Sequence, residues 1–211
     1  MAGQVTMRRW AGAMAAAWLL GLTAPAYAAQ TGPAVAVVRQ FQDTLIAVMK
    51  VGKSLGFEGR YGRLMPVVRR SHNVAYIAEL TLGPYWGRLT VAQRQAFVHA
   101  FTELTVATYA AQFRRYSGQA FHRIASEKVA QGDVLVETDI ATRGRKDATI
   151  DYLLAPTGGH WQIVNIVANG VSDLALKRAQ YTAIIHRKGF PALLAALRGK
   201  VVQLSHGTVK G

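Results

Sequence analysis

GHWQIVNIVANGVSDLALKRAQYTAIIHRKGFPALLAALRGK, residues 159–200, is the stretch that decides the fold. Trp161 to Ala168 reads as one apolar strand, and Asn169-Gly170 as a tight corner. Val171 to His186 reads as a helix of about four turns, followed by a break at Gly189 and a short closing helix from Phe190 to Arg198. Such a strand requires a sheet beside it, and such a helix a face to cover. Apolar residues fall on both faces of the strand: Trp161, Ile163 and Val167 with Asn165 on one, Val164, Ile166 and Ala168 on the other. Both faces are therefore expected to be covered, either by two layers of helix or by a core on one side and a ligand cavity on the other.

Upstream, the sheet partners are legible. Asp133 to Ala141 alternates Val134, Val136 and Ile140 against Leu135, Glu137 and Asp139, and Ala148, Ile150, Tyr152 and Leu154 line the next strand. Arg143 to Lys146 joins these two as a hairpin, and Thr157-Gly158-Gly159 turns the second into the Trp161 strand. Phe121 to Val129 supplies a fourth strand. Short turns throughout mean an antiparallel meander.

The first half of the chain is helical. Val35, Val38, Phe41, Leu45, Val48 and Met49 recur at helical spacing after a start at Thr31 and Pro33, and that helix ends near Gly52 or Gly56. Residues 56–73, with three glycines and Pro66, are expected to form a loop around one short helix at Arg63 to Arg70. Asn73 caps a helix carrying Val74, Ile77 and Leu80 that stops at Gly83-Pro84, before a bulky turn at Tyr85-Trp86-Gly87. Thr90 with Gln93 is a capping box that opens the longest helix, Val91 to about Tyr116. Its inward stripe is expected to be Phe97, Phe101, Leu104, Thr108 and Ala111. Helices segregated from an antiparallel sheet define an α+β fold, and no repeat or linker divides the chain.

Composition sets the context. The leader has Arg8 and Arg9, then the apolar run Trp10 to Leu22, then Ala26-Tyr27-Ala28, which fits a signal peptide cleaved before Ala29. The expected organisation is a leader at 1–28 and one domain at 29–211, exported to the periplasm. Without cysteine there is no disulfide and no thiolate chemistry. Net charge is +14, or +12 without the two leader arginines, so the protein should be drawn to anionic surfaces. Its basic residues are scattered, not clustered with aromatics in an RNA-reading motif, and in the periplasm an anionic membrane is expected in place of nucleic acid.

Chemistry is sparse. The six histidines include no pair at metal-binding spacing. His99 and Glu103 read as a surface pair on one helix, and Asp147 and Asp151 as charge balance beside Arg143, Arg145 and Lys146. Ser117-Gly118 and Ser172-Asp173 read as caps or turns, and no nucleophile elbow, phosphate loop or dinucleotide fingerprint is present. No enzymatic activity and no cofactor are expected.

The leader, the helical first half, YAAQFRRYSGQAF and the 159–200 stretch together resemble the MlaC family of periplasmic lipid-binding proteins, also called toluene-tolerance or ABC-transporter auxiliary proteins. The matching positions are Tyr109, Phe113, Tyr116 and Gly118, then Trp161, Ile163, Ile166, Gly170, Val171, Ser172, Lys188 and Gly189. Asn165 stands where the family usually has aspartate. Gly56 to Tyr61 and Gly83 to Trp86 resemble the hopanoid-associated branch, HpnM. The resemblance implies helices over a twisted antiparallel sheet, a nuclear-transport-factor-like roll with an apolar cavity. It also implies phospholipid or hopanoid tails in that cavity, and exchange with a membrane-embedded ABC-type lipid transport complex. Leu45, Met49, Ile77, Leu80, Phe97, Phe101, Val136, Ile150, Tyr152 and Ile166 are the expected lining. Two rival classes make different forecasts. A nuclear-transport-factor-like enzyme needs a buried, shifted histidine near Asp147 or Asp151; a pure interaction module needs a filled core.

Overall fold

The computed structural model describes residues 26–209, with side chains from residue 31 onward. The leader expected at 1–28 lies almost wholly outside the described residues. Five main helices and five strands follow in the order α1 (Ala26–Lys50), α2 (Gly52–Ser71), α3 (Val74–Leu82), α4 (Val91–Gln112), β1 (Gln119–Lys128), β2 (Val134–Thr142), β3 (Arg145–Thr157), β4 (His160–Ala168), β5 (Val171–Ser172) and α5 (Asp173–Leu204). The strands form one antiparallel meander in sequence order, and the helices pack on it, so the fold is α+β as expected. The fifth strand, two residues long, adds to the four foreseen.

Local signals place most boundaries. Asn73 and Thr90 cap α3 and α4, and Gln93 reciprocates in a full capping box. Both residues of the Arg143-Gly144 and Asn169-Gly170 corners have positive φ, the geometry that two-residue hairpin turns demand. Asn169 also accepts a hydrogen bond from the Thr149 amide at 3.0 Å, pinning its corner to β3. Gly189 breaks α5 at φ 79°, and the closing segment continues to Leu204, beyond the expected Arg198.

Several expectations need correction. α1 begins at Ala26, so Pro33 sits inside it and not at its start. α4 ends at Gln112, four residues short of Tyr116, because Phe113 takes a non-helical ψ of 54°. Its buried side includes Ala100, Val106, Ala107 and Ala110 beside Phe97 and Phe101, while Leu104, Thr108 and Ala111 are only half-buried. α4 lies between α2, α3 and α5, which rotates its buried face away from the predicted stripe.

The largest departure is α2. Residues 57–71 are one continuous helix, where a loop around one short helix at Arg63 to Arg70 was expected, despite Gly59, Gly62 and Pro66. What holds it is tertiary. Arg60, 9 % exposed, donates from Nε to the Ala110 carbonyl and from Nη1 to the Gly52 carbonyl, both at 2.8 Å. Ala110 lies in the last turn of α4, where carbonyls lack helical partners. Gly52 lies one turn before the kink at Gly56 (φ 62°, ψ −170°). One guanidinium thus caps one helix and bridges the break in another. Gly52 itself is packed so closely that a Cβ there would sit 2.3 Å from the Arg114 carbonyl oxygen.

Two bulges set the sheet's faces. β2 and β3 slip register between Ile140 and Ala141, and β3 and β4 slip between Leu153 and Leu154. The second slip puts Ile163 opposite Leu154 and Ile166 opposite Tyr152, so Ile163 and Ile166 share the inner face. The simple alternation that grouped Ile163 with Asn165 is overturned. Its cause is outside the sheet: the Ile163 carbonyl accepts from the Asn73 amide at 3.0 Å, in the link between α2 and α3. Three rows cross the inner face, Val134–Leu154–Ile163, Val136–Tyr152–Ile166 and Thr138–Ile150–Ala168.

Gly52→Ala is expected to cost about 2 kcal/mol or more, because backbone must move to admit the new carbon. Gly62→Ala, with open space around it in the same helix, should instead stabilise by about 0.5–1 kcal/mol. Urea denaturation of both variants checks this; equal stability of Gly52→Ala and the parent would refute the close packing.

Candidate functional site

Of the three inner rows, the first is sealed in the core and the last opens into a cleft. Ile150, Tyr152, Ile166 and Ala168 form its sheet wall, Phe41 and Leu45 of α1 its floor, and Thr105, Thr108, Tyr109, Gln112 and Phe113 its helical wall. Asp173 and Lys177, on the first turns of α5, stand at its edge and pair with each other. The cleft encloses about 200 Å³. A second, water-sized chamber of about 30 Å³ adjoins it, sharing Thr105, Tyr109, Ile166 and Asp173, and adds His72, Val74, Ile77 and Phe101.

The threonines on the helical wall are less polar than they look. Thr102, Thr105 and Thr108 each donate to the carbonyl four residues back, at 2.7–2.8 Å. With the hydroxyl satisfied inside the helix, the side chain is left without a polar demand on its surroundings. The wall is therefore compatible with an apolar occupant.

Beneath the cleft lies a fully bonded polar layer. Ser71 Oγ donates to the Val67 carbonyl at 2.8 Å and accepts from His72 Nδ1 at 2.8 Å. His72 Nε2 then accepts from the Tyr109 hydroxyl at 3.1 Å. This order assigns the Nδ1–H tautomer of a neutral imidazole. Burial pushes the ring's pKa down to about 3, slightly offset by its hydrogen bonding to Val68, while burial raises Tyr109 well above its ordinary value. Gln42 donates to Thr138 at 3.1 Å and to the Tyr152 hydroxyl at 3.4 Å, and burial pushes Tyr152 up to about 12. Phe41 packs edge-on against His72, Tyr109 and Tyr152. Among the described residues no buried side-chain polar atom lacks a partner.

The ten expected lining residues separate. Leu45, Ile150, Tyr152 and Ile166 line the cleft, and Ile77 and Phe101 line the small chamber. Met49 and Leu80 border two other surface pockets, and Phe97 and Val136 are packed in the core against no cavity. As lining, sequence reasoning missed Phe41, Thr105, Thr108, Tyr109, Gln112, Phe113, Ala168, Asp173 and Lys177; threonines at three-residue steps along α4 were the available signal for two of them.

A buried, shifted histidine does exist, yet its partners are Ser71 and Tyr109. Asp147 instead pairs with Thr142 and Arg145 at an exposed hairpin, and Asp139 pairs with the exposed His122 at 2.9 Å. Asn165, at the position where an aspartate was expected, accepts from Ser172 Oγ at 3.1 Å and from the Leu174 amide at 3.4 Å. Its carbonyl oxygen thus anchors the start of α5 without a charge. No group of metal-ligating side chains occurs among the described residues.

These features define an α+β binding scaffold: a curved antiparallel sheet roofed by helices, with an apolar cleft between the layers. The MlaC protein family model matches residues 39–199, and the chain belongs to that family. It is 26% identical over 188 residues to the intermembrane phospholipid transport system binding protein MlaC of Haemophilus influenzae, covering 83% of this chain and 85% of that one. The fold is similar to that of a phospholipid-binding protein from Ralstonia solanacearum solved in complex with a phospholipid. The TM-score is 0.70 at 20% identity, over 81% of this chain and 97% of the other.

His72 makes stability depend on pH. Between about 3 and 6.5 the unfolded chain binds a proton at this ring that the folded protein does not, so stability falls as pH drops through that window. From about pH 7 to about pH 5.5 its contribution to that loss is about 1 kcal/mol. His72→Asn should flatten this part of the denaturation-versus-pH curve. An unchanged slope would mean that His72 binds protons equally in the folded and unfolded states.

Proposed function

We propose that this protein is a periplasmic lipid carrier, exported by a cleavable leader at residues 1–28 and acting as a single domain at 29–211. The cleft takes the apolar tails of a phospholipid or a hopanoid and the protein ferries the lipid between inner and outer membranes with an ABC-type transport complex. The observation that carries this reading is the apolar cleft between sheet and helices in a chain of the MlaC family. Similarity to the transport-system protein of Haemophilus influenzae and to the phospholipid-bound Ralstonia protein supports it.

The physics of tail binding suits such a site. Each CH₂ removed from water contributes roughly 0.8 kcal/mol, without direction, so walls of Ile150, Ile166, Ala168 and Phe113 serve as well as any specific motif. The volume of about 200 Å³ is below the roughly 300–1,000 Å³ of sites for drug-sized ligands. A diacyl lipid therefore enters only as the helical wall draws away from the sheet. The filled core of a pure interaction module is not what the cleft favours.

Protein purified from a periplasm is expected to release stoichiometric lipid on solvent extraction, seen as a lipid-bound mass in native mass spectrometry. Thr108→Trp, which fills the cleft from its half-buried wall, should lower bound lipid about tenfold or more (~1.4 kcal/mol per decade) while the protein stays folded. A parent protein that neither carries lipid nor takes it from vesicles would overturn the reading.

A further inference from the structure

Where α1 ends and α4 gives way to β1, the surface holds a second pocket, of about 650 Å³, that the cleft does not use. Lys50, Lys53, Arg60, Arg114 and Arg115 line it, and no acidic residue does. All eleven acidic side chains lie within the described residues, and the ion pairs these make are with His99, His122, Arg145 and Lys177. Arg60 is the telling member. Its Nε and Nη1 are committed to carbonyls, and Nη2, which makes no hydrogen bond within the described residues, reaches the surface at the pocket wall although the residue as a whole is largely buried. Burial disfavours its charge, and Arg114 alongside disfavours it further. Concentrating five cations in one concavity costs free energy unless an anion shares it.

The rim says which anion. Tyr116, 43 % exposed, lies under the Lys50 ammonium at 5.4 Å, and Val51, 41 % exposed, follows Lys50 in the chain. Exposed apolar and aromatic groups interleaved with cations are the composition of a surface that rests at a membrane interface. A soluble phosphate would need the cations alone. We propose that this pocket binds the phosphate of an anionic phospholipid in a bilayer and so docks the protein on the membrane, with Arg60 at its base, Lys50 and Arg115 at its sides, and Tyr116 and Val51 meeting the headgroup layer. This rests on the reading above that the protein visits membranes, and it locates the contact at a site distinct from the cleft. Gly52 and the two Arg60 hydrogen bonds fix the pocket's walls.

The test is co-sedimentation of the purified protein with phosphatidylcholine vesicles, with and without added phosphatidylglycerol. The parent should bind the anionic vesicles and not the neutral ones, weakening as salt is raised. The Lys50→Glu/Arg115→Glu variant should lose about tenfold or more in vesicle affinity. Arg198→Glu/Lys200→Glu, an equal charge change on exposed α5 positions, should lose much less. Both variants are checked for folding by circular dichroism, and the first should still yield cleft lipid on extraction. Equal losses in the two variants would overturn the site, leaving only diffuse attraction. So would binding indifferent to phosphatidylglycerol, which would point to an acidic protein partner, or inorganic phosphate displacing the vesicles at low concentration. Absence of extracted lipid from every form, with vesicle docking intact, would instead sink the carrier reading alone.

Discussion

Phe41 is the point on which the layers depend. It is almost wholly buried on α1 and meets His72 at 4.9 Å, Tyr109 at 5.1 Å and Tyr152 at 6.4 Å between ring centroids, each edge to face. Those four rings come from α1, the α2–α3 link, α4 and β3, so one side chain joins three helical segments to the sheet. Edge-on packing gains beyond the area buried, about 0.5–1.5 kcal/mol for each pair. It also fixes distance: a smaller residue at this place would let the helices settle onto Tyr152 and close the cleft. The polar atoms around it are satisfied in one arrangement only, Ser71 to His72 to Tyr109 on one side and Gln42 to Thr138 and Tyr152 on the other. A network satisfied in a single way defines a single packing.

Arg60 is the second constraint, of a different kind. A buried cation is costly, and no carboxylate offsets this one within the described residues. Two carbonyls do so in part, each at 2.8 Å and each orphaned by helix geometry: Ala110 at the end of α4, and Gly52 just ahead of the Gly56 break. The partial negative charge at the end of a helix favours a guanidinium there. The same residue therefore explains why a glycine-rich segment folds as helix, and it leaves an uncompensated positive charge beside the adjoining surface.

How much of this was legible follows from where each instruction lies in the chain. Corners, caps and breaks are local: Asn169-Gly170 needs positive φ at both residues, Thr90 finds its partner three residues on, and Gly189 ends a helix where it stands. These could be read. α2 could not, because its glycines and Pro66 argue for a loop and the opposing vote comes from Ala110, fifty residues away. Nor could the slip that turns Ile163 and Ile166 to one face, since it answers to Asn73, ninety residues upstream. The site shows the same division. Periodicity put Ile150 and Tyr152 on one face of their strand, but it cannot tell which face is the inner one, nor a residue facing a gap from one facing a neighbour. Val136 shares a row with Tyr152 and Ile166 and is simply packed.

That distinction between gap and contact has a physical origin in α4. Its upper half meets the core through Phe97, Ala100 and Phe101, residues whose burial resists separation. Its lower half faces the sheet through Thr105, Thr108 and Gln112, whose side chains bury less apolar surface and whose threonine hydroxyls stay bonded to their own helix when the sheet is withdrawn. Parting the layers there exposes little and breaks no hydrogen bond made by those threonines, whereas parting them at Phe97 would expose a large aromatic cluster with Phe101, Tyr181 and Phe190. On its sheet-facing side the helix is thus densely packed at one end and thinly packed at the other, while Val106, Ala107 and Ala110 keep the lower half buried against its helical neighbours. The sheet-facing side of the lower half is therefore where the proposed carrier function would find its room, and the fully bonded layer of Ser71, His72 and Tyr109 lies beneath it.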